Sequence, residues 1–204
     1  NINLSNAVLL FAPQVTDLDE AGKNSILAEA RFLRALNYLL LVQQFGAVPV
    51  DLGSGDLAFT QTPSTEFHRL PLTDVLKKDF NAMIEDLTFA SQNLPVQRPA
   101  NAFRASQAAA LHLLSRVYLF RGYSDVKEAN DFKNAYSTAM ELINNKAKYG
   151  VDLLQDYGMV HKQGNDYNQE ILFSIERLPL NNTSNENATP GTTFDGKVNI
   201  AGNM

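Results

Sequence analysis

The sequence predicts a mainly α-helical scaffold with long loops and one short strand near its C-terminal end. Three observations predict it. The segment Ala28–Val50, AEARFLRALNYLLLVQQFGAVPV, is apolar nearly all round a helical wheel and includes the unbroken run Tyr38–Val42. That is the pattern of a helix wrapped by neighbours. Apolar residues recur at spacings of three and four in several further segments, the helical period. A single segment, Glu170–Arg177, alternates instead, with Ile171, Phe173 and Ile175 on one face, the period of a strand.

Taken in order, the first helix is short, NLSNAVLLFA, and ends before Pro13, because proline disfavours a preceding helical residue. The second runs from about Asp17 to Phe45. Thr16 or Asp17 caps it, and Asp19 and Glu20 sit at the positive end of its dipole. Gly46 and then Pro49 give a hard stop. The third runs from about Thr73 to Asn93, capped by Thr73 or Asp74 and closed by Pro95. Val75, Phe80, Met83, Ile84, Leu87 and Ala90 mark its buried side. The fourth, about Ser106–Arg121, is stopped by Gly122. The fifth opens on Asp125-Val-Lys-Glu128, which fits a capping box. It continues through Phe132, Tyr136, Ala139, Met140, Leu142 and Ile143. Asn181–Met204 is rich in Asn, Thr and Gly and reads as a loop-rich tail. The connections Ala47–Leu72 and Val96–Arg104 are long for helix–helix turns, and such loops on a rigid support are where binding residues tend to sit. Domain organisation is that of one unit, 1–204. Its opening residues, Asn1–Gln14, read as the tail of a helix already under way, as in an N-terminal-half piece of a longer protein.

Composition narrows the function. At 204 residues the chain can bury about 70% of its unfolded surface. The net charge of −5, without a basic run, argues against nucleic acid and against an anionic membrane surface as partners. With no Cys, disulfides and thiolate metal sites are excluded. No stretch reaches the ~18 apolar residues of a membrane span, and no leader pattern opens the chain.

The marks of catalysis are missing too. His68, His112 and His161 stand far apart and in no ligand spacing, and neither a nucleophile elbow nor a phosphate loop occurs. His112 reads as a partly buried, hydrogen-bonded core histidine. The adjacent Glu85 and Asp86 read as a solvated helix face, since neighbouring helical positions do not face each other. Glu29, Arg31 and Arg34 lie amid core positions and read as structural, their guanidinium groups tying elements together. The sequons at Asn181, Asn182 and Asn187 read as turn-forming composition. These readings predict no catalytic residue, no cofactor and no metal, and they leave ligand-binding residues unknown.

The Ala28–Val50 string closely resembles the signature helix of the SusD/RagB family, whose pattern there is EARFLRA…Y…L…FG.VP. Four further segments resemble that family in its own order. Lys78-Asp-Phe80…Ile84-Glu-Asp-Leu87…Leu94-Pro95 is similar to "I..DL..A...LP". Ala105–Gly122 is similar to "KGAALALLARVYLY.G". Tyr136–Ile143 with Tyr149 is similar to "Y..A...A..VI….Y.L", and Asn168–Ile175 to "N.EIIFSI". The resemblance implies a tetratricopeptide-like helical-repeat scaffold, present here as partial coverage of a longer SusD-like fold. It further implies a non-enzymatic lipoprotein of the bacterial outer-membrane surface, held by an N-terminal lipid anchor not present in this chain. Such a protein captures glycan and serves a SusC-like TonB-dependent transporter, and some members handle peptides instead. The chain departs from the family in lacking the lipidated Cys, in its length and in having no Trp. No family ligand residue is carried over. A helical-repeat scaffold that binds only protein and a glycoside hydrolase fragment are the competing readings.

If sugar binds, it needs flat apolar faces beside hydrogen-bonding groups on a rigid support. Phe32, Tyr38, Phe80, Tyr118 and Phe120 fall in core patterns. Phe59, Phe67, Tyr157, Tyr167 and Phe194 fall in loops and are the spare aromatics.

Overall fold

A computed structural model describes residues 1–50, 71–100, 102–175 and 198–199. Helix α1 spans Ile2–Phe11, α2 Glu20–Phe45, α3 Leu72–Asn93, α4 Gln107–Gly122, α5 Asp131–Asn144 and the short α6 Lys146–Tyr149. Each long helix packs on the next in the chain, and α2 also meets α4. The α2–α3 and α4–α5 pairs therefore stack as a two-layer helical array, the arrangement of tetratricopeptide-like repeats.

α2 is the centre of the core. Its cap is Asp19, not Thr16 or Asp17: the Asp19 carboxylate accepts the Gly22 N–H at 2.8 Å. The helix stops at Gly46, whose φ of 75° a side chain would resist and whose N–H closes on the Val42 carbonyl. Ala28, Phe32, Ala35, Leu36, Leu39 and Val42 enter the core. The all-round wheel overstates this burial, for Leu40 is 50% exposed. It lies on the side that α3 does not cover, facing a groove beside α1.

α3 begins after Pro71 without a side-chain cap, so Thr73 and Asp74 belong to its first turn. Proline has its φ preset and no N–H to leave unsatisfied there. Phe80, Met83, Leu87 and Ala90 are fully enclosed, each large side chain contributing about 1.5–3 kcal/mol. Ser106 caps α4 by accepting the Ala109 N–H. Ala108, Ala109 and Ala110 are buried in its first turn, followed by Leu113, Leu114 and Val117. Its far end surfaces, with Leu119 and Phe120 exposed, so Phe120 is not the core residue its spacing predicts.

α5 departs furthest from the sequence reading. The Asp125–Glu128 capping box does not form, and residues 125–130 are turn and irregular chain. Asp131 takes over the start, its Oδ2 accepting the Glu128 N–H at 2.7 Å. The helix packs on α4 through Ala135, and the Ser115 hydroxyl donates to the Ala135 carbonyl. The predicted apolar stripe divides: Phe132, Tyr136 and Ile143 are exposed, while Ala139, Met140 and Leu142 are half-buried and Leu142 packs against Tyr149 and Val151.

After α6 the chain runs irregularly to the strand. Of the expected strand Glu170–Arg177, residues 170–173 are not strand, Ser174–Ile175 form β1, paired antiparallel with β2, Val198–Asn199, and residues 176–177 lie outside the described residues. The Ser174 N–H donates to the Ala102 carbonyl at 2.9 Å, which ties the segment to the 96–104 connection. Phe173 reaches into the main core, its ring edge-on to Phe32 at 5.1 Å. Of the tail read as loop, β2 is the described part and is a strand. The sequons, Phe59, Phe67, His68 and Phe194 lie outside the described residues.

Candidate ligand-binding surface

Two buried charge clusters account for most of the polar chemistry inside the array. Arg34 on α2 is 4% exposed. Its Nε donates to Asp86 Oδ2 at 2.7 Å, Nη2 to Asp86 Oδ1 at 2.8 Å and Nη1 to Asn6 Oδ1 at 2.8 Å. One guanidinium thus joins α1, α2 and α3. Arg31 adds a longer contact to Asp86 at 3.4 Å and lies over the Phe89 ring, 4.6 Å from its centroid. Asp86 is 1% exposed, which corrects the solvated-face reading. Burial pushes its carboxyl upward while Arg34 pulls it back down. Glu29 pairs with Arg104 through two short hydrogen bonds, 2.6 and 2.5 Å. The three α2 residues therefore work as ties between elements, as the sequence reading holds.

The second cluster mirrors the first across α4. Arg121 reaches Asp131 at 2.6 Å, Asn81 at 3.1 Å and Glu128 at 3.2 Å. It joins α3, α4 and the start of α5, which is why Asp131 rather than Asp125 sets that helix end. In both clusters the forks of Arg34 and Arg121 are spent on fixed carboxylates.

Among the described residues no group of three or more His, Asp or Glu is placed to hold a metal ion. His112 on α4 and exposed His161 belong to different regions. The His112 Nε2 is buried without a hydrogen-bond partner, which corrects the expected hydrogen-bonded core histidine. Burial beside Arg116 pushes the imidazole down to about 4. It lines a small apolar gap with Phe32, Leu36, Leu113, Leu172 and Phe173, so it is a neutral packing group and no base.

What remains for ligands is surface. Tyr157 is 77% exposed, as a spare loop aromatic should be. Tyr167 is not spare: its ring packs edge-on against Phe103 at 5.0 Å, and its carbonyl accepts from Arg98 at 3.2 Å. A larger aromatic face lies where the helical period hides it. Tyr123 is 79% and Tyr136 68% exposed, with Phe132 between them on the same side and edge-on to Tyr123 at 5.1 Å. A groove of about 390 Å³ runs between α1 and α2, lined by Leu4, Val8, Ile26, Leu33, Leu40 and Ile175. The exposed tyrosines could have been found from the sequence only by asking what covers the fifth helix. No helix of the described residues is long and apolar enough to cross a membrane.

A helical array tied by buried Arg–Asp pairs, with aromatic and apolar surfaces left open, defines a helical scaffold class of protein. Comparison with known proteins places it within that class. The family profile described as SusD-like, "Starch-binding associating with outer membrane", matches residues 2–119. The chain belongs to the SusD-like family. A SusD-like protein of Bacteroides ovatus is 30% identical over 184 residues, which is 88% of this chain and 31% of that protein. A solved structure described as a laminarin binding SusD-like protein superposes with a TM-score of 0.67 at 26% identity, covering 85% of this chain and 35% of that one. Another, described with xylogluco-oligosaccharide, gives a TM-score of 0.67 at 26% identity, covering 87% and 34%. The chain thus spans about a third of the length of the relatives it matches.

Proposed function

We propose that this chain is the helical scaffold part of a longer protein that captures glycan at the bacterial cell surface and delivers it to a TonB-dependent outer-membrane transporter. The observation that carries the reading is family membership over residues 2–119. Relatives described as laminarin binding and with xylogluco-oligosaccharide support an oligo- or polysaccharide as the ligand. The family's outer-membrane association supports the location. The lipid anchor and the transporter are carried by the family resemblance.

The open surfaces fit a part of a larger whole. Phe132, Tyr136 and Ile143 on α5 and the lining of the α1–α2 groove leave apolar side chains open to solvent, the kind of surface that marks a packing or interaction face. We assign these faces to packing against the family length that lies beyond this third, and the glycan contacts to loops or to that remaining length. Catalysis has no role in the reading. A glycan array probed with the family-length protein is the test. Binding to at least one plant or algal polysaccharide is expected. Binding to peptides alone would make the protein a peptide-capturing member, and binding to neither would leave a protein-interaction scaffold.

A further inference from the structure

Among the described residues, Asp79 is the buried carboxylate that neither charge cluster uses. It stands on α3, fully buried. Its Oδ2 accepts the Val48 N–H at 3.0 Å, and its Oδ1 is buried with no partner. Val48 belongs to the turn Gly46–Val50, the segment with which α2 ends and from which the connection to α3 departs. Besides that hydrogen bond, the turn is seated by Val48 and Val50 against the main core. The carboxyl of Asp79 is thus a fastening point for the root of the longest connection in the chain.

Among the described residues, nothing compensates a charge there. From α2 the titratable group nearby is the Tyr38 phenol, itself buried and pushed up to about 12 chiefly by that burial. Arg34, on the same helix, is committed to Asp86 and Asn6. On α4 the buried guanidinium is Arg121, committed to Asp131 and Asn81. The turn itself carries no charged residue. A carboxylate with one backbone donor and no cation is expensive to bury. A neutral carboxyl in the same place costs less to bury; its carbonyl oxygen still accepts the Val48 N–H, less strongly than a carboxylate does, so the hydrogen bond offsets only part of the burial effect. Opening the turn gives the charged form access to water, so the charged form favours the open turn and the neutral form the closed one.

We propose that Asp79 is a proton-operated latch on the Gly46–Val50 turn, holding the root of the α2–α3 connection closed when neutral and loosening it when charged. Burial raises this carboxyl to about 6 in the closed chain. A closed form that holds its proton that much more tightly than ordinary aspartate makes turn opening rise on the order of a hundredfold between pH 4 and pH 7.

Hydrogen exchange at the Val48 amide reads the latch locally. After correction for the pH dependence of intrinsic exchange, the opening equilibrium should climb with pH across 4–7 in the parent chain. It should stay flat in Asp79→Asn, which keeps the acceptor and cannot charge. Equal pH profiles in the two proteins would overturn the proposal. Should Asp79→Asn fail to fold, the carboxyl ¹³C resonance of Asp79 in the parent decides. A midpoint near 6 is expected, and an ordinary midpoint near 4 would overturn the proposal.

Discussion

Asp86→Ala should be among the most damaging single substitutions in this protein. Arg34 and Asp86 are 4% and 1% exposed, and the pair is joined by two hydrogen bonds of 2.7 and 2.8 Å. Removing the carboxylate takes away both charge-assisted hydrogen bonds of the buried guanidinium, and Asn6 is a neutral acceptor that cannot replace them. The substitution also frees Arg31 from its 3.4 Å contact. Breaking one side of a buried ion pair costs about 3–5 kcal/mol, mostly from the stranded charge and not from the lost attraction. The double variant Arg34→Met/Asp86→Ala removes the stranded charge, so it should cost well under the sum of the two single losses. Urea unfolding at neutral pH measures this, with the slope unchanged. A loss below about 1 kcal/mol, or strict additivity in the cycle, would refute the view that this pair is the desolvated tie among α1, α2 and α3.

Leu87→Ala, at a fully enclosed position, should cost about 2–5 kcal/mol, whereas Leu40→Ala, half exposed on the groove, should cost below about 1 kcal/mol by the same unfolding assay. The His112 imidazole is held near 4 against an ordinary ~6.5. Its contribution is therefore intact above pH 6.5 and is lost as pH falls toward 4, by about 3 kcal/mol in all. Asp79 changes with the opposite sign in that window, so the readable quantity is a difference: His112→Leu should gain on the parent as pH drops from 6.5 to 4. Arg104→Ala breaks a short two-pronged pair, but Arg104 is 68% exposed, and the unfolding free energy should fall by no more than about 1 kcal/mol.

Much of this architecture is legible in the residues. Gly46 and Pro49 end α2, Pro13 closes α1, and Leu94-Pro95 ends α3, because those residues restrict the backbone whatever surrounds them. The apolar positions of α3 fall on one side in sequence and in space. The reading fails where the outcome depends on something distant along the chain. Asp86 looks like surface beside Glu85, and its burial becomes visible only with Arg34, 52 positions away. Asp125–Glu128 has the spelling of a capping box, but Asp131 outcompetes it through Arg121. For α5 the spacing gives the shared face of Phe132, Tyr136 and Ile143 correctly. Spacing cannot say whether anything covers that face. The same limit hides the candidate surface: Tyr136 looks like core, and Tyr167 looks spare.

Calorimetric titration of laminari- and xylogluco-oligosaccharides into this chain and into the family-length protein tests the central claim most directly. The account predicts binding by the longer protein. It predicts weak binding by this chain alone, around millimolar, equivalent to about −4 kcal/mol, because the helical array supports the site more than it forms it. Full affinity in this chain would contradict the scaffold assignment and place the site on its own surfaces. Absence of glycan binding in both proteins, across the polysaccharides of the array, would contradict the proposed function itself.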